Sequence, residues 1–148
     1  MKLNKDFFRT LRPFSGLAVM SLMLVLLCSC GLFKEKPSNN HLSSLDFPKH
    51  LERNGMDVES ITPVDESEFE ADEALAIKFV GEPREIGIYK FDRSRPKQNE
   101  KAEAIIKKGY VMNRGVRFTV KTNGSFFLIG VDENPHKEEI TRIFQTFN

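Results

Sequence analysis

The chain has 148 residues, with 22 Lys and Arg against 21 Asp and Glu, and only two cysteines. That length admits one domain and is short for two, and two cysteines cannot build a disulfide framework. A net charge of +1 excludes a function carried by bulk charge, so the placement of charges along the chain matters more than their sum.

Residues 1–13 hold Lys2, Lys5, Arg9 and Arg12 against Asp6, and Phe14 to Leu27 carry no charge. A basic head followed by a short apolar run reads as an export signal, because a spanning helix needs roughly 20 apolar residues. The run ends in Leu27-Cys28-Ser29-Cys30-Gly31, an aliphatic residue, two small ones and a cysteine. This resembles the lipobox of bacterial lipoprotein precursors. The resemblance covers residues 1–31 and implies that Leu27, Ser29 and Gly31 are read by the signal peptidase. It implies further that residues 1–29 are removed and that Cys30 carries diacylglycerol. Cys28 fills a slot where Ala, Ser or Thr is commoner, a departure from the pattern. The mature chain then keeps no free thiol, which excludes an internal disulfide, cysteine catalysis and a thiolate zinc site. Lipoproteins with Asp after the lipidated cysteine stay in the inner membrane. Gly31 stands there here, so the resemblance implies the outer membrane in a host with two.

Residues 30–43 are polar and aperiodic and read as a tether, which leaves residues 44–148 as the domain. Asp46 opens a short helix in which Phe47 and Leu51 stack one turn apart, and Gly55 ends it. Val58 to Val64 is strand-like, with Pro63 marking an edge. Asp65 to Glu73 is an acidic loop. Leu75, Ile77 and Phe79 alternate as a half-buried strand, and Glu85 to Asp92 returns beside it after the Gly81-Glu82-Pro83 turn. A basic loop, Arg93 to Lys97, precedes a helix with Ala102, Ile105 and Ile106 on its apolar stripe and Gly109 at its stop. Asn123-Gly124 then predicts a type I′ hairpin pairing Thr122 with Ser125, Val120 with Phe127, Phe118 with Ile129 and Val116 with Val131. Asn134 and Pro135 open a last helix with Ile140, Ile143, Phe144 and Phe147 on one stripe. The order α-β-β-β-α-β-β-α predicts an α+β domain. Its antiparallel sheet has about five strands, with helices packed mainly on one face.

Chemistry is sparse. His41 falls in the tether, His50 faces outward on a helix, and His136 stands at a helix start, so no metal site or cofactor is predicted. The acidic loop lacks the glycine of a calcium loop and the apolar surroundings that tune an acid–base pair. No phosphate-binding glycine loop or nucleophile elbow occurs. Ten acids against two bases lie between Asp57 and Glu85, and ten bases against three acids between Lys90 and Lys121. Arg93, Arg95 and Lys97 are candidates for contact with an anionic lipid surface, whereas Phe91 alone interleaves this stretch, which argues against nucleic acid. Phe126 and Leu128, together with Tyr89 and Phe91, sit opposite the residues assigned to the core and form a candidate binding face. The reading that follows is a lipid-anchored cell-envelope lipoprotein. Its domain is a non-enzymatic binding or assembly module for another envelope protein, and its oligomeric state is left open. A small-ligand or lipid carrier is the alternative, and an enzyme a more distant one.

Overall fold

The computed structural model describes residues 38–148 apart from residues 66 and 68. The signal, the lipobox from Leu27 to Gly31 and the first part of the expected tether lie outside the described residues. A 3₁₀ turn (Ser38–His41) leads into α1 (Asp46–Arg53), β1 (Val58–Pro63), β2 (Glu73–Phe79) and β3 (Glu85–Lys90). Then come α2 (Pro96–Lys108), β4 (Tyr110–Asn113), β5 (Val116–Asn123), β6 (Phe126–Ile129), a second 3₁₀ turn (Val131–Glu133) and α3 (Lys137–Gln145).

The fold is α+β, with one six-stranded sheet in the order β1-β2-β3-β6-β5-β4 and every pairing antiparallel. Two three-stranded meanders meet where β3 pairs with β6, and α2 carries the chain from one to the other. The sixth strand, β4, was not predicted. It pairs with β5 through a two-residue turn at Arg114 and Gly115, whose φ values of 46° and 83° match the left-handed pair of a type I′ turn.

The helices follow their local signals. Pro96 opens α2 at N1, where its missing N–H costs nothing, and Gly109 closes it in the left-handed region at φ 73°. The main chain of Ser43 donates to the Asp46 carboxylate at 2.9 Å, so Asp46 reaches back over the start of α1 from inside the helix. Asn134 accepts from the N–H of His136, but α3 begins only at Lys137 with His136 at its N-cap, so the expected opening at Pro135 falls in the turn ahead of the helix.

Two apolar layers hold the sheet. On one face α1 and α3 pack Phe47, Leu51, Ile140, Ile143 and Phe144 against Leu75, Ile77, Phe79, Ile86, Ile88, Phe126 and Leu128. On the other, α2 contributes Ala102 over Tyr89, Phe91, Val111, Val120, Phe127 and Ile129. All four residues of β6 are therefore buried, and each buried Phe, Leu or Ile contributes about 1.5–3 kcal/mol.

The predicted hairpin forms with a different register. Asn123 pairs with Phe126, Thr122 with Phe127 and Val120 with Ile129, so the turn residues are Gly124 and Ser125. Gly124 has φ 59° and Ser125 is not left-handed, the pattern of a type II′ turn. The slip is two residues, an even number, so the side chains from Phe118 to Ile129 keep their predicted faces. The expected Val116–Val131 pair does not form. Gly130 turns the chain at φ 78°, Val131 joins the layer under α1 and α3, and Val116 pairs with Asn113 and stays exposed.

Candidate functional site

Phe126, Leu128, Tyr89 and Phe91 do not form an open face. Ile88 lies opposite Leu128, and Tyr89 opposite Phe127, so the pleat sends Phe126 and Leu128 to the α1–α3 side and Tyr89 and Phe91 to the α2 side. All four are buried. Phe126 meets Phe147 edge-on at 4.9 Å, and Phe91 meets Phe127 edge-on at 4.8 Å. A strand that is apolar on both sides is here the central strand of a sheet covered on both sides. The α2-side layer closes without a void that admits a water molecule.

The basic loop also divides. Arg93 is no lipid contact: its side chain is 8% exposed. It pairs with Glu103 and donates to Asn99 Oδ1 at 2.6 Å and to the Gly124 carbonyl at 3.2 Å. Arg95 pairs with Asp72 and, at 3.4 Å, with Asp92. Lys97 is exposed and makes no ion pair with a described residue. The acidic loop is what this segment serves, through Glu70–Lys101, Asp72–Arg95 and Glu73–Lys90 bridges.

Between that loop, α2 and the β4 edge runs a groove. One depression of about 430 Å³ is lined by Phe69, Ile105 and Val111 with Lys101, Lys108 and Met112. A second of about 580 Å³ adjoins it through Ser67, Glu70 and Lys101, and extends to Arg95, Lys97 and Gln98. Phe69 is set by an edge-on contact with Tyr89 at 4.9 Å. Gln98 Nε2 donates to the Glu70 carbonyl at 3.0 Å, which leaves its buried Oε1 without a partner among the described residues. The result is an apolar floor with a charged rim, Lys108 near the Glu70–Lys101 pair, beside a strand whose outer edge is unpaired in the sheet.

The groove was missed because its parts are far apart in the chain and individually ordinary. Tyr110–Asn113 was the one legible signal, a run of four opening on aromatic Tyr110 and β-branched Val111 between Gly109 and Arg114-Gly115. Lys107 and Lys108 close α2 beside exposed Ile106, Arg114 stands in the β4–β5 turn beside exposed Val116, and Arg117 pairs with exposed Met112 across β4 and β5. Arg117 lies 4.0 Å over the Tyr110 ring.

Residues 38–43 are not tether but part of the domain. Asn39 is 1% exposed; its Nδ2 donates to the carbonyls of Asn123 at 3.0 Å and Phe147 at 3.1 Å, and its Oδ1 accepts from the Ser125 N–H. Asn40 donates to Asp92 Oδ1 at 2.9 Å and accepts from the Arg93 N–H and the Ser125 hydroxyl. The two amides thus latch the start of the domain to the β5–β6 turn, the Asp92–Arg93 loop and the C-terminus. His50 bonds Thr146 Oγ1 at 3.1 Å and His136 lies 3.8 Å from Glu82. Among the described residues no group of three His, Cys, Asp or Glu is placed to hold a metal ion. Compared with protein-family models, curated proteins and solved structures, the chain matches none.

Proposed function

We propose that this chain is a lipid-anchored cell-envelope lipoprotein whose domain is a non-enzymatic binding or assembly module. The observation that carries the anchor is Leu27-Cys28-Ser29-Cys30-Gly31 at the exit of a basic and then uncharged segment. Gly31, in place of Asp, favours the outer membrane where the host has two. What supports the module is the groove along β4. An extended acidic segment of another envelope protein can add to the strand edge through main-chain hydrogen bonds. Its apolar side chains would lie on Phe69, Ile105 and Val111, and a carboxylate near Lys108, whereas Lys101 is already paired with Glu70.

The anchor is tested by metabolic labelling with a radioactive fatty acid. Cys30→Ala abolishes the label and leaves an unprocessed or soluble product, whereas Cys28→Ala keeps both label and processing. Loss of label in the Cys28 variant alone overturns the assignment.

A further inference from the structure

We infer that the end of the sheet bearing the β5–β6 turn faces the bilayer and the β4–β5 turn at Arg114 and Gly115 faces away from it. This rests on the lipid at Cys30. From Cys30 to Asn39 there are nine residue steps, which reach at most about 32 Å in any conformation. Asn39 and Asn40 pin the last of those steps to Asn123, Ser125 and Phe147, at one end of the sheet. The opposite end, with the β4–β5 turn, lies the length of β5 away, eight residues or about 27 Å. Seating that end on the membrane would consume almost the whole reach of the link, and a link held near full extension loses its conformational freedom.

The chain direction places the other elements. The loop holding Ser94 and Arg95 and the start of α1, with Leu45 53% exposed, share the pinned end with the β5–β6 turn. The Val80 turn follows β2 at the opposite end, and α2 runs from the pinned end to Gly109, whose carbonyl accepts from the Val120 N–H midway along β5. Electrostatics does not oppose this orientation. At the pinned end Arg93 is internally paired and Arg95 is neutralised by Asp72 and Asp92, while exposed Lys97 at the start of α2 stays available to an anionic lipid surface. Arg114 and the exposed Val80, Met112 and Val116 toward the opposite end are then presented to the aqueous compartment, where a protein partner can reach them.

The test uses the full lipidated protein in phosphatidylcholine vesicles carrying a nitroxide at the headgroup level. A fluorophore is attached at Leu45→Cys or at Val80→Cys in a Cys28→Ala background, both sites being exposed. Quenching is expected to be several-fold stronger at position 45 than at position 80. Adding Asn39→Ala and Asn40→Ala should bring the two closer together by freeing the link. Equal or reversed quenching in protein that floats with the vesicles overturns the orientation alone. Failure to float overturns the anchor and the orientation with it.

Discussion

Glu73 gathers three donors at the start of β2: Lys90 Nζ at 2.8 Å, the Ser44 N–H at 2.7 Å and the Ser43 hydroxyl at 2.9 Å. Burial alone would raise its pKa, but the Lys90 ammonium and the two serine donors outweigh it and hold the carboxyl below the usual glutamate range. Asp46 is lowered in the same way, chiefly by the Ser43 N–H. A carboxyl held below its unfolded value stabilises the fold fully above that value, near 4.5, and the contribution is lost as pH falls through the folded value. Glu73→Gln should therefore cost about 1 kcal/mol at pH 7, discounted because the side chain is one-third exposed. It should also shrink the fall in stability between pH 6 and pH 3. Urea midpoints across that range check both, and an unchanged acid limb would show that Glu73 carries none of it. Asn39 and Asn40 belong to the same class of residue. Their burial was illegible because a Ser-Asn-Asn-His stretch looks like linker until the carbonyls it satisfies are brought to it from 84 and 108 residues away.

The β5–β6 hairpin shows what periodicity can and cannot supply at the scale of an element. Alternation divided Phe126 and Leu128 from Phe127 and Ile129, and the structure keeps that division. Alternation could not say that each face has a helix over it, because that depends on the crossover through α2. The turn type shifted because Gly124 adopts the first loop position of a two-residue turn while Asn123 remains in β5 and spends its side chain on the carbonyls of Phe144 and Phe147. Gly87 has a related role on β3: a Cβ there would come within 2.8 Å of the Tyr89 ring, which lies across it and in turn positions Phe69. Since Phe126 and Leu128 are both fully buried under α1 and α3, replacing them with Ser removes packing from the larger layer. Single truncations of this kind cost about 2–5 kcal/mol, and domains of this size hold roughly 5–15 kcal/mol in all. The double substitution should leave little cooperative unfolding by circular dichroism. A melting temperature within a few degrees of wild type would mean that the layer is not packed as described.

For the molecule as a whole, the two charge blocks read from the chain turn out to be partners. Glu70, Asp72 and Glu73 from the acidic block meet Lys101, Arg95 and Lys90 from the basic one, and Gln98 adds a hydrogen bond to the Glu70 carbonyl. Arg95 is 57% exposed and Glu70 64%, so the outer two bridges sit in water, where such pairs are worth about 0–1 kcal/mol each. Global stability therefore depends little on them. What they hold is the wall of the groove, because the acidic loop carries Ser67, Phe69 and Glu70 over α2 and is joined to the apolar layer there by Phe69 and the small Ala71. Reversing Arg95 and Lys101 to Glu should release this loop while the apolar layers on both faces stay intact. Hydrogen exchange should quicken at residues 69–72, with the amides of β3 and β6 as protected as before and the melting temperature lowered by only a few degrees. High salt should shift the wild-type loop in the same direction, since exposed pairs are screened and buried layers are not. Exchange that quickens equally across the sheet would instead mean that the charge blocks stabilise the domain itself, and the groove wall would then be no more adjustable than the core beneath it.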